Sequence, residues 1–285
     1  IHDSSGRIVA VFVNGPDDLK WDEVKRGATN AICAARDRCR FPRKAAKHRR
    51  GNFPALNKGI SHGNGSKRPG NLYQEKRNAA VLADLAKNPH ISRISGHANS
   101  SFATWAPKLY THYDANFVKV LDNDPSLERN FENSVWAAFA VNFGPKTVCN
   151  RHRDTANLPY GWCSITALGD FDYEAGGHLI LWEFKIAVEF PPGTTALIPS
   201  AAITHSNVPI GRRESRYSFA QFSAGGLFRW ADQDFQRTGD YKGKMTAEEA
   251  SEDLRVQEER CKFGLSLFST LSSLKDDQAT LGRLV

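Results

Sequence analysis

Apolar and polar positions alternate with a period of two through the middle of the chain and recur at helical spacing toward its two ends. Gly176-Gly177 opens the run His178-Leu179-Ile180-Leu181-Trp182-Glu183-Phe184, which reads as a strand with Trp182 in its apolar part. Lys185 to Phe190 alternates less cleanly, and Pro191-Pro192-Gly193 turns the chain into Thr194-Thr195-Ala196-Leu197-Ile198, a strand ended by Pro199. Arg216-Tyr217-Ser218-Phe219-Ala220-Gln221-Phe222 alternates again, with Arg216 and Ser218 on one face. Earlier, Arg7 to Val13 predicts a strand ending at Asn14-Gly15-Pro16, and Asp17 to Arg38 predicts a helix that braces the sheet core. Two further helices are predicted over Leu72 to Lys87, ended before Pro89, and over Ser101 to Leu121, with Pro107 in or just before a first turn. Thr246-Ala247-Glu248-Glu249 has capping-box spacing and opens a helix to about Thr270.

Short strands joined by tight turns, with helices on either side, predict a mainly β core with α-helical flanks. The order of strands and turns is that of a small antiparallel barrel, a double-stranded β-helix of the jelly-roll or cupin-like type. The chain divides into an N-terminal strand and helix region (1–90), a core (91–240) and a C-terminal helical extension (241–285), which together form one domain.

The candidate chemistry lies in that core. His152-Arg153-Asp154 is a His-x-Asp triplet, and His205 follows after the run of strands. On an extended strand residues two apart share a face, so His152 and Asp154 reach one ion together while Arg153 turns toward water. Two neutral imidazoles and one carboxylate on one side of a metal form the facial set that suits non-haem Fe(II), with the opposite positions open. Arg216 lies eleven residues beyond His205. An inward guanidinium needs an anionic partner, and with Ser218 beside it the planar fork suits a carboxylate. Arg212 and Arg213, next to Gly211 and Glu214, read instead as solvated charges in the preceding turn.

These residues, with Asn142-Phe143-Gly144-Pro145, the run from His152 to Cys163, Phe190-Pro191-Pro192-Gly193 and the run Ala224-Gly225-Gly226-Leu227-Phe228-Arg229-Trp230, resemble the Fe(II)/2-oxoglutarate oxygenases and, more narrowly, the fungal Tet/JBP-like proteins. The resemblance covers roughly residues 91 to 231. It implies Fe(II) held by His152, Asp154 and His205, 2-oxoglutarate anchored by Arg216 and Ser218, and dioxygen as co-substrate. It further implies oxidation of methyl groups on DNA bases, 5-methylcytosine or N6-methyladenine, as in DNA demethylation. A stacked base cannot reach an enclosed pocket, so it would be flipped out or taken from a single strand. A prolyl-hydroxylase-type oxygenase acting on a protein or small molecule, and a catalytically silent nucleic-acid-binding module, remain as alternatives.

Four residues near the metal triplet are candidates for substrate contact, each with a plainer reading. Tyr160 and Trp162, like Trp182, form an aromatic wall or belong to the core. His178 is a substrate hydrogen bonder or a satisfied strand residue. Asn157, before Pro159, reads a base edge or caps its own turn.

Composition narrows the setting. The 285 residues are 40% hydrophobic and 24% charged, as in a globular protein with one sizeable core. No apolar run approaches the roughly 20 residues that span a bilayer. No basic-then-apolar leader follows Ile1, so no signal peptide is expected, and the absence of an initiator methionine points to a trimmed start. The five cysteines, 33, 39, 149, 163 and 261, are odd in number and lack a Cys-x-x-Cys pair, which fits reduced thiols in an intracellular protein and gives no zinc site. The net charge of +7 is concentrated in residues 36–77, where thirteen Lys or Arg meet only Asp37 and Glu75. Such a segment neutralises phosphates, so DNA is the expected partner and the nucleus the expected location of a monomeric protein. Its run Arg43-Lys44-Ala45-Ala46-Lys47-His48-Arg49-Arg50 and the glycines from 59 to 70 read as a flexible loop with little core.

Overall fold

The computed structural model describes residues 1–42, 46–63 and 65–282. In chain order the strands are β1 (Val11–Val13), β2 (Ala55–Ser61), β3 (Gly70–Asn71), β4 (Ala138–Asn142), β5 (Cys163–Asp170), β6 (Leu179–Leu181), β7 (Ile186–Val188), β8 (Thr195–Ile198), β9 (His205–Asn207) and β10 (Ser215–Phe222). The helices are α1 (Trp21–Arg38), α2 (Lys76–Ala86), α3 (Pro89–Trp105), α4 (Pro107–Asn123), α5 (Gly225–Asp232), α6 (Thr238–Lys242), α7 (Ala247–Ser266) and α8 (Leu274–Leu281). A seven-stranded sheet in the order β1-β8-β5-β10-β4-β2-β3 faces a three-stranded sheet, β7-β6-β9, and the pairings are antiparallel. This is the expected mainly β core with helical flanks, built as a double-stranded β-helix of two sheets and not as a closed barrel.

Period-two alternation on β10 decides what faces what. Tyr217 and Phe219 join Leu56, Phe139, Val141 and Leu168 in a core packed under α1, α2 and α3. The residues between them, Arg216, Ser218, Ala220 and Phe222, therefore point into the space between the sheets. Ala167, Ala196 and Ile198 of the large sheet meet Leu179 and Leu181 of the small one in that same space. A third core, around Phe102, Trp136 and Trp162, joins α3, α4 and α5 to the sheet, with Phe102 stacked on both tryptophans at 5.0 and 5.8 Å. Each such side chain taken from water contributes about 2 kcal/mol.

Several elements depart from the sequence expectation. The strand predicted from Arg7 is reduced to Val11–Val13, with Arg7 and Ile8 in isolated bridges to Thr270 and His2. The first helix begins at Trp21 and not at Asp17. The second spans Lys76–Ala86, and Pro89, read as a stop, opens α3: it needs no amide partner at that position, and Asn88 caps the helix by accepting from the His90 and Ile91 amides at 3.0 and 3.3 Å. The single helix expected over 101–121 is two, because Pro107 forces Ala106 out of helical geometry (φ −143°, ψ 60°). The strand predicted to Phe184 stops at Leu181, and Trp182 to Lys185 form a turn that leaves Trp182 39% exposed. Its ring lies under the Arg151 guanidinium at 4.4 Å and its Nε1 donates to Ser206 Oγ at 3.0 Å, so it belongs to a half-polar surface and not to the core.

The basic segment 36–77 is also corrected in part. Arg43, Lys44 and Ala45 of its charge run lie outside the described residues, as does Asn64, but the segment contains β2, which pairs with β4 and buries Leu56 and Ile60. Gly59 makes this possible: its φ is +123°, and a Cβ there would collide with the Ala137 carbonyl oxygen. The capping box at Thr246 forms as expected, with both of its hydrogen bonds, and α7 ends at Ser266.

Candidate active site

His205 opens β9, and the turn carrying His152 is held beside it by backbone hydrogen bonding in an isolated bridge. His152 and Asp154 are thus not on a regular strand, as the sequence implied, but in an extended loop tied at both residues: the Asp154 amide donates to the Ser200 carbonyl at 2.9 Å. The consequence for the side chains is the same. Ligand atoms of His152, Asp154 and His205 lie within 4.8 Å of one another, with His152 Nε2 at 3.8 Å from Asp154 Oδ1 and His205 Nε2 at 3.9 Å from Asp154 Oδ2.

Each imidazole is oriented by its other nitrogen. His152 Nδ1 lies 2.7 Å from the Asn150 carbonyl and His205 Nδ1 lies 3.0 Å from the Ile203 carbonyl. A carbonyl only accepts, so Nδ1 carries the proton in both rings and the Nε2 lone pairs are turned toward the carboxylate. Burial, then the neighbouring His205, lowers the pKa of His152 to about 4, which keeps its ring neutral. The cluster is a ready donor set of two nitrogens and one anionic oxygen.

Arg216 lies in the same cavity, of about 250 Å³, as the three donors, together with Asn142, Asn207 and Ser218. Its side chain is buried, 1% exposed, and burial lowers its pKa to about 10, so it remains a cation at neutral pH. One Nη1 hydrogen bond goes to the Thr147 carbonyl at 2.9 Å and a long one to Asn207 Oδ1 at 3.5 Å, while Nε is buried with no partner among the described residues. Phe171 and Phe190 stand 5.9 and 5.7 Å from the guanidinium carbon and shut out water on that side. Arg212 and Arg213 are exposed in the turn before β10, as their spacing implied.

A larger cleft of about 780 Å³ adjoins the metal-side cavity, and the two share Ala156 and Asn157 in their walls. Tyr160, Phe184 and Phe228 give the cleft aromatic surface, and Arg229 and Arg260 give it charge. Asn157 is both a turn residue and a lining residue: its amide closes a turn onto the Asp154 carbonyl at 2.9 Å and its side chain donates to Ser200 Oγ at 3.1 Å. The Tyr160 hydroxyl is 3.3 Å from His112 Nε2, and burial raises its pKa to about 12, so it is present as the phenol.

Two of the substrate candidates are not brought to either cavity. Trp162 is 1% exposed and packs between Phe102 and Phe268, with its carbonyl accepting from Tyr113 and Trp136. Its large apolar ring is core. His178 lies just before β6 and lines neither cavity; its carbonyl accepts from the Val208 amide at 3.1 Å, linking β6 to β9. The sequence reading missed Asn207, although it stands two residues after His205 on β9 and so shares its face. It also missed Arg49 and Arg50, which line the metal-side cavity because the Arg50 carbonyl accepts from the Asn150 amide at 2.7 Å and Arg49 reaches the Arg153 carbonyl at 3.1 Å.

No protein-family model matches the chain, and no curated protein matches it in sequence. Among solved structures, NgTET1 in complex with 5mC DNA matches with a TM-score of 0.53 and 16% identity, over 79% of this chain and 75% of that one. An oxidoreductase of the 2OG-Fe(II) oxygenase family from Burkholderia pseudomallei gives a TM-score of 0.41 and 18% identity, over 77% and 85%. A prolyl-4-hydroxylase from Pseudomonas putida gives 0.34 and 14%, over 74% and 91%. The first likeness shows a shared fold; the other two are too distant to carry an argument.

Proposed function

We propose that the chain is an Fe(II)- and 2-oxoglutarate-dependent dioxygenase of the Tet/JBP-like kind that oxidises methyl groups on DNA bases, 5-methylcytosine or N6-methyladenine. The observation that carries the reading is the presence of two unlike sites in the walls of one small cavity: a two-histidine, one-carboxylate cluster, and a buried arginine whose Nε has no partner among the described residues. The cluster alone would suit any metal taken up by nitrogen and oxygen donors, and the arginine alone would suit any small anion. Together they match a metal and a ligand that carries carboxylates at both ends.

The residues fit both groups. His152, Asp154 and His205 would hold Fe(II) through two nitrogens and one oxygen, a set that leaves half the coordination sphere for other ligands. A buried guanidinium with an unused N–H is costly until an acceptor meets it, and a carboxylate does so with a second hydrogen bond from Ser218. When bound, iron and 2-oxoglutarate supply the oxidising power, with dioxygen consumed and succinate and carbon dioxide released. The protein's own part is to hold the keto acid by its far carboxylate, to aim both imidazole lone pairs at one point, and to enclose the reacting C–H bond.

The adjoining cleft would take the substrate. Its volume exceeds that of one base, and its shared wall at Ala156 and Asn157 leads toward the metal donors. A base turned out of its stack would lie against Tyr160 and Phe228, with the Asn157 amide placed to read its edge. The preponderance of cations, +7 over the chain, supports a polyanionic substrate and, with it, residence in the nucleus. The domain that does this would be a single unit comprising 1–90, 91–240 and 241–285.

The test is mass spectrometry of nucleosides after the protein, Fe(II) and 2-oxoglutarate are incubated with DNA carrying both methylated bases. Loss of one methylated nucleoside in proportion to succinate formed is the expected result. Succinate formation that depends on a peptidyl proline and leaves both bases intact would replace this reading with that of a prolyl-hydroxylase-type enzyme.

A further inference from the structure

Beside the cleft lies a second, more open groove of about 820 Å³, whose walls include Lys67, Arg68, Arg237 and Lys244. Helix α5 contributes to both: Arg229 lines the cleft and the adjacent Trp230 lines the groove. Among the described residues the four cations share their groove with a single acid, Asp240. None of the four forms a salt bridge among the described residues, although Lys242 nearby is paired with Asp253 at 3.8 Å and Arg260 with Asp232 at 3.9 Å. Lys244 donates to the neutral Gln236 Oε1 at 2.5 Å, which leaves its charge uncompensated. Like charges gathered without carboxylate partners repel one another, so the surface that holds them is complementary to an anion of several charges.

The groove also has an aromatic wall. Asp234 and Phe235 follow α5 with φ of 49° and 58°, two successive non-glycine residues in the left-handed region. Such geometry is unfavourable for L-residues and persists only where the surroundings fix it. Here the Phe235 amide donates to the Trp230 carbonyl at 2.9 Å and the Gln236 amide to the Gln233 carbonyl at 3.1 Å. Trp230 is itself held edge-on against His62, with ring centroids 5.1 Å apart. The turn thereby presents a half-buried Phe235 among the cations.

Grouped cations beside an aromatic face are what a phosphodiester chain requires: the charges neutralise phosphates and the ring accepts a base of any kind by stacking. We infer that the groove of Lys67, Arg68, Arg237, Lys244 and Phe235 holds the backbone of a nucleic-acid strand outside the reacting nucleotide. This rests on the reading of a nucleic-acid substrate, and it gives that substrate a docking surface built from two distant parts of the sequence. Only Lys67 and Arg68 come from the basic segment; Arg237 and Lys244 come from the turns around α6.

The experiment is fluorescence anisotropy of the full chain with an unmodified, labelled DNA of about twenty nucleotides, single-stranded and duplex, over a salt series. Replacing Lys67, Arg68, Arg237 and Lys244 by Ala together weakens binding of both forms at least tenfold, and it reduces the slope of log affinity against log salt by about three, since each lost phosphate contact removes about 0.7 to 0.9. Phe235→Ala weakens the single strand more than the duplex. An unchanged melting temperature and unchanged 2-oxoglutarate affinity identify these as losses of docking. If the wild type binds DNA and the quadruple variant binds it equally well, the groove assignment is overturned while the substrate reading stands. If the wild type shows no salt-dependent binding to either form, both are overturned. Equally tight, equally mutation-sensitive binding of poly-glutamate also overturns the assignment, because the groove would then respond to charge and not to phosphodiester.

Discussion

The Asn142 side-chain amide donates a 2.7 Å hydrogen bond to Ser218 Oγ, across the β4–β10 pair in which these two residues are direct partners. With one lone pair so engaged, the serine hydroxyl keeps its proton free for an acceptor, and it lines the same cavity as Arg216, two residues earlier on the strand. If 2-oxoglutarate is held as proposed, the two donors would meet one acceptor with unequal strength. Arg216→Ala should raise the 2-oxoglutarate concentration needed for half-maximal turnover about 100-fold, as for one side of a buried charged pair, and Ser218→Ala about tenfold. Titration of 2-oxoglutarate against succinate formation checks both; a comparable rise from Arg213→Ala, which is exposed, would show that the anchor is that arginine and not Arg216.

Metal binding should be separable from turnover. At a Mn²⁺ concentration about 100 times its dissociation constant, the wild type should gain about 2.7 kcal/mol and so melt roughly 5 °C higher than without metal. Asp154→Ala and His205→Ala should abolish that gain and the Mn²⁺ resonance change that accompanies it, along with succinate formation. Both remain folded, because the backbone bonds that hold the loop, His152 amide to His205 carbonyl at 3.0 Å and the reverse at 2.9 Å, do not involve these side chains.

Gly59 tests whether the basic segment is built into the sheet. Its positive φ is strained for any L-side chain, and the nearest obstruction to a Cβ is the Ala137 carbonyl oxygen, which cannot give way without opening the β2–β4 pair. Gly59→Ala should therefore cost about 3 kcal/mol in urea unfolding. A loss below about 0.5 kcal/mol would mean that β2 is not part of the cooperative fold.

What can be read from the sequence follows from how local each signal is. The metal donors and Arg216 are legible because His-x-Asp, a later histidine and an alternating Arg-x-Ser each carry their geometry within a few residues. The helix break at Ala106 and the start of α3 at Pro89 are not, because proline stops one helix and opens another, and only the Asn88 cap separates the two meanings. Asn142 reaches the cavity through the β2–β4–β10 pairings, and Arg49 and Arg50 through bonds to Arg153 and Asn150 about a hundred residues on, distances in sequence that no spacing rule spans. Trp182 reads as core because apolar neighbours imply burial in a strand, but its strand ends one residue earlier.

Trp162 and Tyr160, two positions apart, should behave oppositely. Trp162 is enclosed by Phe102 and Phe268 away from both cavities, so Trp162→Leu should lower stability by about 2 to 4 kcal/mol in urea unfolding and leave the substrate KM unchanged. Tyr160→Phe, which removes the hydroxyl 3.3 Å from His112 Nε2, should cost under about 1 kcal/mol in stability. A KM change from Trp162→Leu with no loss of stability would return that residue to the substrate wall.

Asn157 stands where the cleft meets the metal-side cavity, and its two roles separate by measurement. The turn depends on its backbone amide, which Asn157→Ala retains, and on a side-chain bond to Ser200 Oγ of 3.1 Å, which it removes. If the side chain only supported the turn, its loss would loosen Asp154, three residues earlier, and weaken metal and 2-oxoglutarate binding together. If it reads the substrate, metal and co-substrate affinities should hold while the substrate KM rises about tenfold, the value of one hydrogen bond to a buried polar edge. Asn157→Asp sharpens the comparison: it keeps an acceptor but no amide donor, so an oxidised base that needs a donor from this position would lose turnover with both variants, and one that needs an acceptor would lose it only with alanine.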